Sequence, residues 1–185
     1  AIRFIGTTRI NGNLTLEDDF DFHSYNNSGT YYALTVDGGV SIEGDNTLGR
    51  TEMNQAYSFG SLTIASGCTF IATSGTTTMT GVSDGAFNFT NAGTFTHNNG
   101  TVKWFTDSTS MEMWMNNNLT FYNVEIDTAD NVRYQNTTIL GDLTVTDGLF
   151  YSYADANTFT VHGNAYVLAD GHLGTAGQTG AVTYH

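Results

Sequence analysis

The stretch Gly141-Asp142-Leu143-Thr144-Val145 decides the fold, because close copies of it recur along the chain. Each copy has a turn residue, a spacer, Leu or Phe, Thr, and usually a further apolar residue. The copies begin at Gly12, Gly60, Gly93, Gly141 and Asn157, with near variants at Tyr32 and Asn117. A short unit that returns in this way is the signature of an architecture built from stacked, similar turns.

The spacing of the copies predicts the kind of stack. The apolar residue at the centre of the unit returns after roughly 16 to 24 residues, as between Leu143 and Phe159, and this suits one turn of a β-solenoid with two or three short strands. Within each unit apolar residues alternate with Thr or Asn, which is the two-residue period of a strand. Gly, Asn and Asp between the units are typical of tight β connections. No segment shows helical periodicity.

The absence of proline among 185 residues supports the same architecture. A proline would remove a ladder hydrogen bond in almost any rung of a solenoid, whereas a β-sandwich usually tolerates proline in its loops. We therefore expect an all-β, single-domain β-solenoid (β-helix) with short Thr/Asn/Gly-rich rungs. A β-sandwich or jelly roll is the alternative.

The length fits one β domain over residues 1–185. We expect an N-terminal cap or less regular rungs over 1–59, the most regular rungs over 60–170, and a C-terminal strand or cap over 171–185. Because the first residue is not Met, we expect a trimmed or partial chain. The single Cys68 cannot form a disulfide within the chain.

The charge balance and the lack of long apolar runs each exclude a class of partner. The chain has five Lys and Arg and 18 Asp and Glu, which give a formal net charge of −13, and the cations are scattered along the sequence. Such a surface repels a phosphate backbone, so we expect no nucleic-acid partner. No run approaches 18 apolar residues, so we expect no membrane insertion through a helix.

The densest acidic cluster is the candidate metal site. Asp18, Asp19 and Asp21 offer the oxygen ligands that calcium prefers, and Glu43 with Asp45 or Glu125 with Asp127 offer smaller sets. Calcium is the one candidate cofactor, and the alternative is a solvated acidic turn. In a strand Asp19 and Asp21 share a face, so the same pair is the candidate site of a polysaccharide-active β-helix enzyme.

The segment Met111–Met115 is the candidate interface. Alternation places Met111, Met113 and Met115 on one face and Trp114 on the other, so both faces carry large apolar groups. Methionine and aromatic residues are favoured at protein interfaces. We expect Trp114 either to contact another subunit or to be covered by the same chain. Trp104 and the first strand, with Ile2 and Phe4, complete the candidate interface.

Three stretches resemble degenerate repeats of known β-solenoid surface proteins: 93–102, 119–126 and 141–145, within residues 60–170. Such repeats occur in structural proteins of tailed-phage virions and in secreted bacterial adhesins and filaments. The resemblance implies a structural or adhesive role outside a cell and carries over no catalytic residue.

We therefore expect a non-enzymatic protein that acts by self-assembly, as a phage capsid decoration or fibre protein at the virion surface. The alternatives are a subunit of an extracellular bacterial filament or adhesin and, last, the polysaccharide-active enzyme. The expected partners are further copies, neighbouring structural subunits and a surface glycan.

Overall fold

A computed structural model describes residues 2–17, 21–24, 29–81, 86–116, 118–152, 154, 157–174 and 181–184. Within these ranges the chain forms strands and connections and no helix. All pairings between the described strands are parallel, and consecutive passes of the chain lie side by side. The chain is therefore a β-solenoid of about seven turns, which confirms the predicted fold class. Leu143 pairs with Ala165 in the next turn, so the interval from Leu143 to Phe159 is shorter than one turn.

Twenty strands are described. They are β1 (Ile2–Phe4), β2 (Thr8–Ile10), β3 (Leu14–Leu16), β4 (Asp21–Ser24), β5 (Leu34–Ile42), β6 (Thr47–Leu48), β7 (Tyr57–Ile64), β8 (Thr69–Ile71), β9 (Thr76–Met79), β10 (Ala86–Asn91), β11 (Thr94–Thr96), β12 (Thr101–Thr106), β13 (Met113–Asn116), β14 (Leu119–Phe121), β15 (Asn123–Tyr134), β16 (Thr137–Ile139), β17 (Leu143–Ser152), β18 (Thr158–Val161), β19 (Ala165–Gly174) and β20 (Ala181–Tyr184).

Each turn of the solenoid, here called a rung, passes over three faces. Face 1 holds a five-stranded sheet (β1-β4-β6-β8-β11) and a four-stranded sheet (β14-β16-β18-β20). Faces 2 and 3 are the two halves of one 11-stranded sheet, and its long strands β5, β7, β15, β17 and β19 bend from face 2 to face 3. The first rung is β1 to β3, and the last rung described on all three faces is β18 with β19.

Parallel register turns the alternating sequence into columns of side chains. One such column on face 2 consists, in successive rungs, of Val36, Phe59, Met79, Trp104, Ile126 and Val145. All of them are buried. Aromatic rings continue the core across face 1, where the Phe95 ring lies 6.0 Å from that of Phe70 and 5.4 Å from that of Phe121. The core is thus one continuous apolar cluster along the solenoid axis.

Side-chain oxygens at the corners bind the next rung. Asn13 Oδ1 accepts a hydrogen bond from the backbone nitrogen of Gly39 at 2.9 Å. Asn123 Oδ1 accepts one from Asp142 at 2.9 Å, and Asp142 Oδ1 accepts one from Asn164 at 2.8 Å. These bonds satisfy backbone donors where the strand ladder is interrupted. These Asn and Asp side chains therefore stabilise the stacking of rungs.

The part of the chain that the structure describes contains no helix long and apolar enough to cross a membrane.

Candidate functional site

Three of the candidate interface residues lie in the core. Trp104, Met113 and Met115 have no exposed surface, and Met111 packs against the same cluster from a partly buried position. The methionine face of the segment therefore points inward. These four side chains contact neighbouring rungs of their own chain.

Trp114 lies on the outside of face 3 and is half-buried by its own chain. Its register partner in the next rung is Arg133, whose partner one rung further is Tyr151. The Arg133 Cζ atom lies 5.0 Å from the centre of the Trp114 ring and 5.1 Å from that of Tyr151. The guanidinium thus contacts two aromatic rings, an arrangement that its cation–π attraction favours.

Glu112 joins this column by hydrogen bonds. Its carboxylate accepts from Trp114 Nε1 at 2.9 Å and from Arg133 Nε at 2.7 Å, and it also accepts from the Tyr151 hydroxyl. Burial, together with the neighbouring Glu112, raises the pKa of Tyr151 to about 12. We call Glu112, Trp114, Arg133 and Tyr151 the arginine column. It joins three successive rungs and covers part of the Trp114 side chain.

The first rung exposes apolar side chains at the N-terminal end. Ile2 is 47% exposed and Ile5 is 76% exposed, whereas Phe4 is half-buried with its ring 5.4 Å from that of Phe22. Among the described strands β1 pairs only with β4, and β2 and β3 pair only with β5. This end, which we call the N-end, therefore has an open strand edge within the described part of the chain.

The last rung exposes a second apolar strip. Tyr166, Val167 and Leu168 on β19 are about half exposed. Val167 pairs with Val145, so it continues a core column but has no described rung above it. Among the described strands, β17 is the one that pairs with β19. We call this surface the C-end.

The two ends hold most of the exposed large apolar side chains. Of the seven such residues in the described ranges, five lie on the N-end or the C-end, and the others are Tyr122 and Leu140. Single exposed apolar residues are ordinary on protein surfaces, but a contiguous patch marks an interaction site. The ends are therefore the candidate functional site for assembly.

Of the three acidic candidates for a calcium site, Asp21 lies in the part of the chain that the structure describes. Asp18 and Asp19 lie outside the described residues, and Asp21 is exposed on face 1. Among the described side chains no three His, Cys, Asp or Glu residues converge on a point that could hold a metal ion. Glu125 and Asp127 instead bind Lys103 Nζ, at 2.8 and 2.6 Å.

Asp21 lines a depression on face 1. The depression has a volume of about 320 Å³. Its lining includes Asp21, His23, Thr47, Arg50, Glu52 and Ile71. Sequence reasoning missed this group, because residues 50–52 reach it through the long connection between β6 and β7.

The sequence also gave no direct signal for Arg133 and Tyr151 as partners of Trp114. Their spacing matches the length of a rung, but only the register shows that they share a column.

Comparisons with protein-family models, curated proteins and solved structures found no match for this chain.

Proposed function

We propose that this chain is a non-enzymatic structural protein that works by self-assembly outside a cell, as a capsid decoration or fibre component at a virion surface. The observation that supports this proposal is that, among the described residues, both ends of the solenoid combine a strand edge without a partner strand and exposed apolar side chains. Open solenoid ends favour the stacking of a further chain, because stacking pairs backbone groups and removes apolar surface from water.

The register of the columns defines the simplest contact. Ile10 begins the core column that Val167 ends, and Arg9 begins the outward column that Tyr166 ends. If β2 of a second copy pairs with β19, Ile10 covers Val167 and Arg9 lies beside Tyr166. The contact therefore continues the fold of the single chain across the junction.

The same contact requires a change of strand pairing on face 1. Pairing β2 with β19 brings β1 of the second copy to the edge of β18 that β20 occupies. The three faces of the junction can pair together only when β20 leaves that edge. Association is therefore expected to compete with the β18–β20 pairing.

The overall charge determines which contacts between two chains are disfavoured. The chain as a whole is strongly acidic, so contacts between its sides are repulsive.

A second candidate is a subunit of an extracellular bacterial filament or adhesin. It is favoured by the different chemistry of the N-end and the C-end, because a contact between two unlike surfaces gives a ring if it closes and a fibre if it does not.

Electron microscopy of the purified chain over a concentration series tests the proposal and separates the two candidates. Discrete closed particles support the virion component. Long fibres with the width of a single solenoid support the filament. Isolated single solenoids at every concentration would overturn self-assembly.

A further inference from the structure

The depression on face 1 is built by strands and by an anchored connection. Asp21 and His23 flank the inward Phe22 on β4, and Thr47 lies beside Asp21 on β6. The connection between β6 and β7 adds Arg50 and Glu52 to the lining, and we call this connection the wall. The result is a concave site on face 1 of the solenoid.

The wall is held in place from both sides. The Met53 side chain is fully buried, and its carbonyl accepts a hydrogen bond from the backbone nitrogen of Ser74 at 2.8 Å. Asn98 Nδ2 donates to the Thr51 carbonyl at 2.9 Å. A wall fixed in this way loses little conformational entropy when a ligand binds.

His23 supplies a neutral imidazole, which can both donate and accept a hydrogen bond. Its side chain is largely buried, and burial, assisted by Arg50, lowers the pKa of its imidazole. The charge of Asp21 raises this pKa, and the charge of Arg3, like that of Arg50, lowers it. A neutral imidazole has one donor and one acceptor nitrogen. This matches a hydroxyl group, which also donates and accepts.

The other polar groups point to the same ligand class. Asp21 and Glu52 offer acceptors, Arg50 offers a planar set of donors 3.5 Å from Glu52, and Thr47 offers a hydroxyl. The lining residues carry two carboxylates against one guanidinium, so they offer an anion no excess of positive charge. Ile71 adds an apolar patch that suits the C–H face of a sugar ring.

We propose that this depression binds a neutral saccharide. The site lies on the side of the solenoid and uses no residue of the N-end or the C-end, so it goes beyond assembly and does not depend on it. It gives the chain a means of attaching to a glycan surface while its ends remain free to stack.

The test is backbone amide chemical-shift mapping of the full chain with neutral tetrasaccharides of glucose, mannose, galactose, xylose and N-acetylglucosamine. Each is titrated to about 10 mM, which detects weak binding. Tetragalacturonate and inorganic phosphate are the anionic probes. The proposal predicts shifts of Thr47, Arg50, Thr51 and Ile71 with at least one neutral probe and none with the anions.

Two variants connect the shifts to the site. Glu52→Gln and Thr47→Val each keep the side-chain shape, and each is expected to weaken binding about tenfold by removing a hydrogen-bonding group. Asp107→Asn, at an exposed position between faces 2 and 3, is the control and should bind as the parent does. The proposal is overturned if no neutral probe shifts these residues, if the anions shift them, or if the control weakens binding as much as Glu52→Gln.

Discussion

Arg133 lies over Trp114, with its guanidinium carbon 5.0 Å from the centre of the indole ring, and the two residues are register partners in adjacent rungs. Tyr151 continues the same column and Glu112 binds all three. The segment that looks most like an interface in the sequence is therefore partly a junction between rungs of one chain.

The first prediction concerns this arginine column. Arg133→Met keeps much of the apolar stem but leaves the half-buried Glu112 without its cation, and should lower the free energy of unfolding by about 2 kcal/mol. Urea unfolding measures the change. Arg9→Met is the matched control, because the Arg9–Asp37 pair is exposed and should contribute less than about 1 kcal/mol. Equal losses in the two variants would contradict the role of the column.

The second prediction concerns alkaline pH. Burial raises the pKa of Tyr151 to about 12, above the value near 10 in an unfolded chain. Its neutral form is favoured in the folded chain, so its contribution to stability is complete below pH 10 and is lost as the pH rises towards 12. Tyr134, whose pKa burial also raises to about 12, loses stability over the same range.

Urea unfolding at several pH values between 8 and 12 should therefore show falling stability in the parent and a shallower fall in Tyr151→Phe. An identical slope in parent and variant would show that Tyr151 does not titrate as its burial requires.

The third prediction concerns the glycine of the repeated pentapeptide. A Cβ atom on Gly93 would lie 2.4 Å from the carbonyl oxygens of Ala65 and Cys68 in the preceding rung. Gly93→Ala should therefore cost about 2 kcal/mol, since the backbone has to shift. Gly12 is the same position in the first copy and has no atom within 4 Å of a Cβ, so Gly12→Ala should be nearly neutral. Thermal unfolding of both variants checks the difference, and a cost for Gly12→Ala equal to that of Gly93→Ala would refute it.

The pentapeptide shows why the fold could be predicted from the sequence. Its Leu or Phe points into the core and its Thr points outward, and Gly93 and Gly141 approach the preceding rung closely. These roles are local, although the copies lie on different faces: Leu62 on face 3, Phe95 on face 1 and Leu143 on face 2. Trp104 shows the limit, because alternation predicts that one face is buried but not which neighbouring rung fills the space around the indole.

The saccharide site could not be predicted because its parts come from separate stretches. His23 lies on β4, Arg50 and Glu52 lie on a connection anchored by Met53 and Asn98, and Ile71 lies on β8. The order of strands across face 1 brings these stretches together. The sequence shows neither that order nor the docking of the connection.

The fourth prediction concerns β20. A chain that ends at Gly174 lacks the strand that occupies the edge of β18. If the proposed junction is right, this shortened chain should associate at a lower concentration than the parent, as measured by light scattering. Weaker association of the shortened chain would show that β20 supports the contact and does not compete with it.

The most direct test of assembly through the ends is sedimentation velocity of three chains over the same concentration series: the parent, Leu168→Asp and Leu140→Asp. Leu168 is 50% exposed at the C-end, and Leu140 is 41% exposed between β16 and β17, one rung before the C-end and outside it, so the variants add the same charge at similar exposure. Assembly through the ends predicts that the parent and Leu140→Asp associate with rising concentration, whereas Leu168→Asp remains a monomer. A parent that stays monomeric throughout, or a loss of association in Leu140→Asp equal to that in Leu168→Asp, would contradict it.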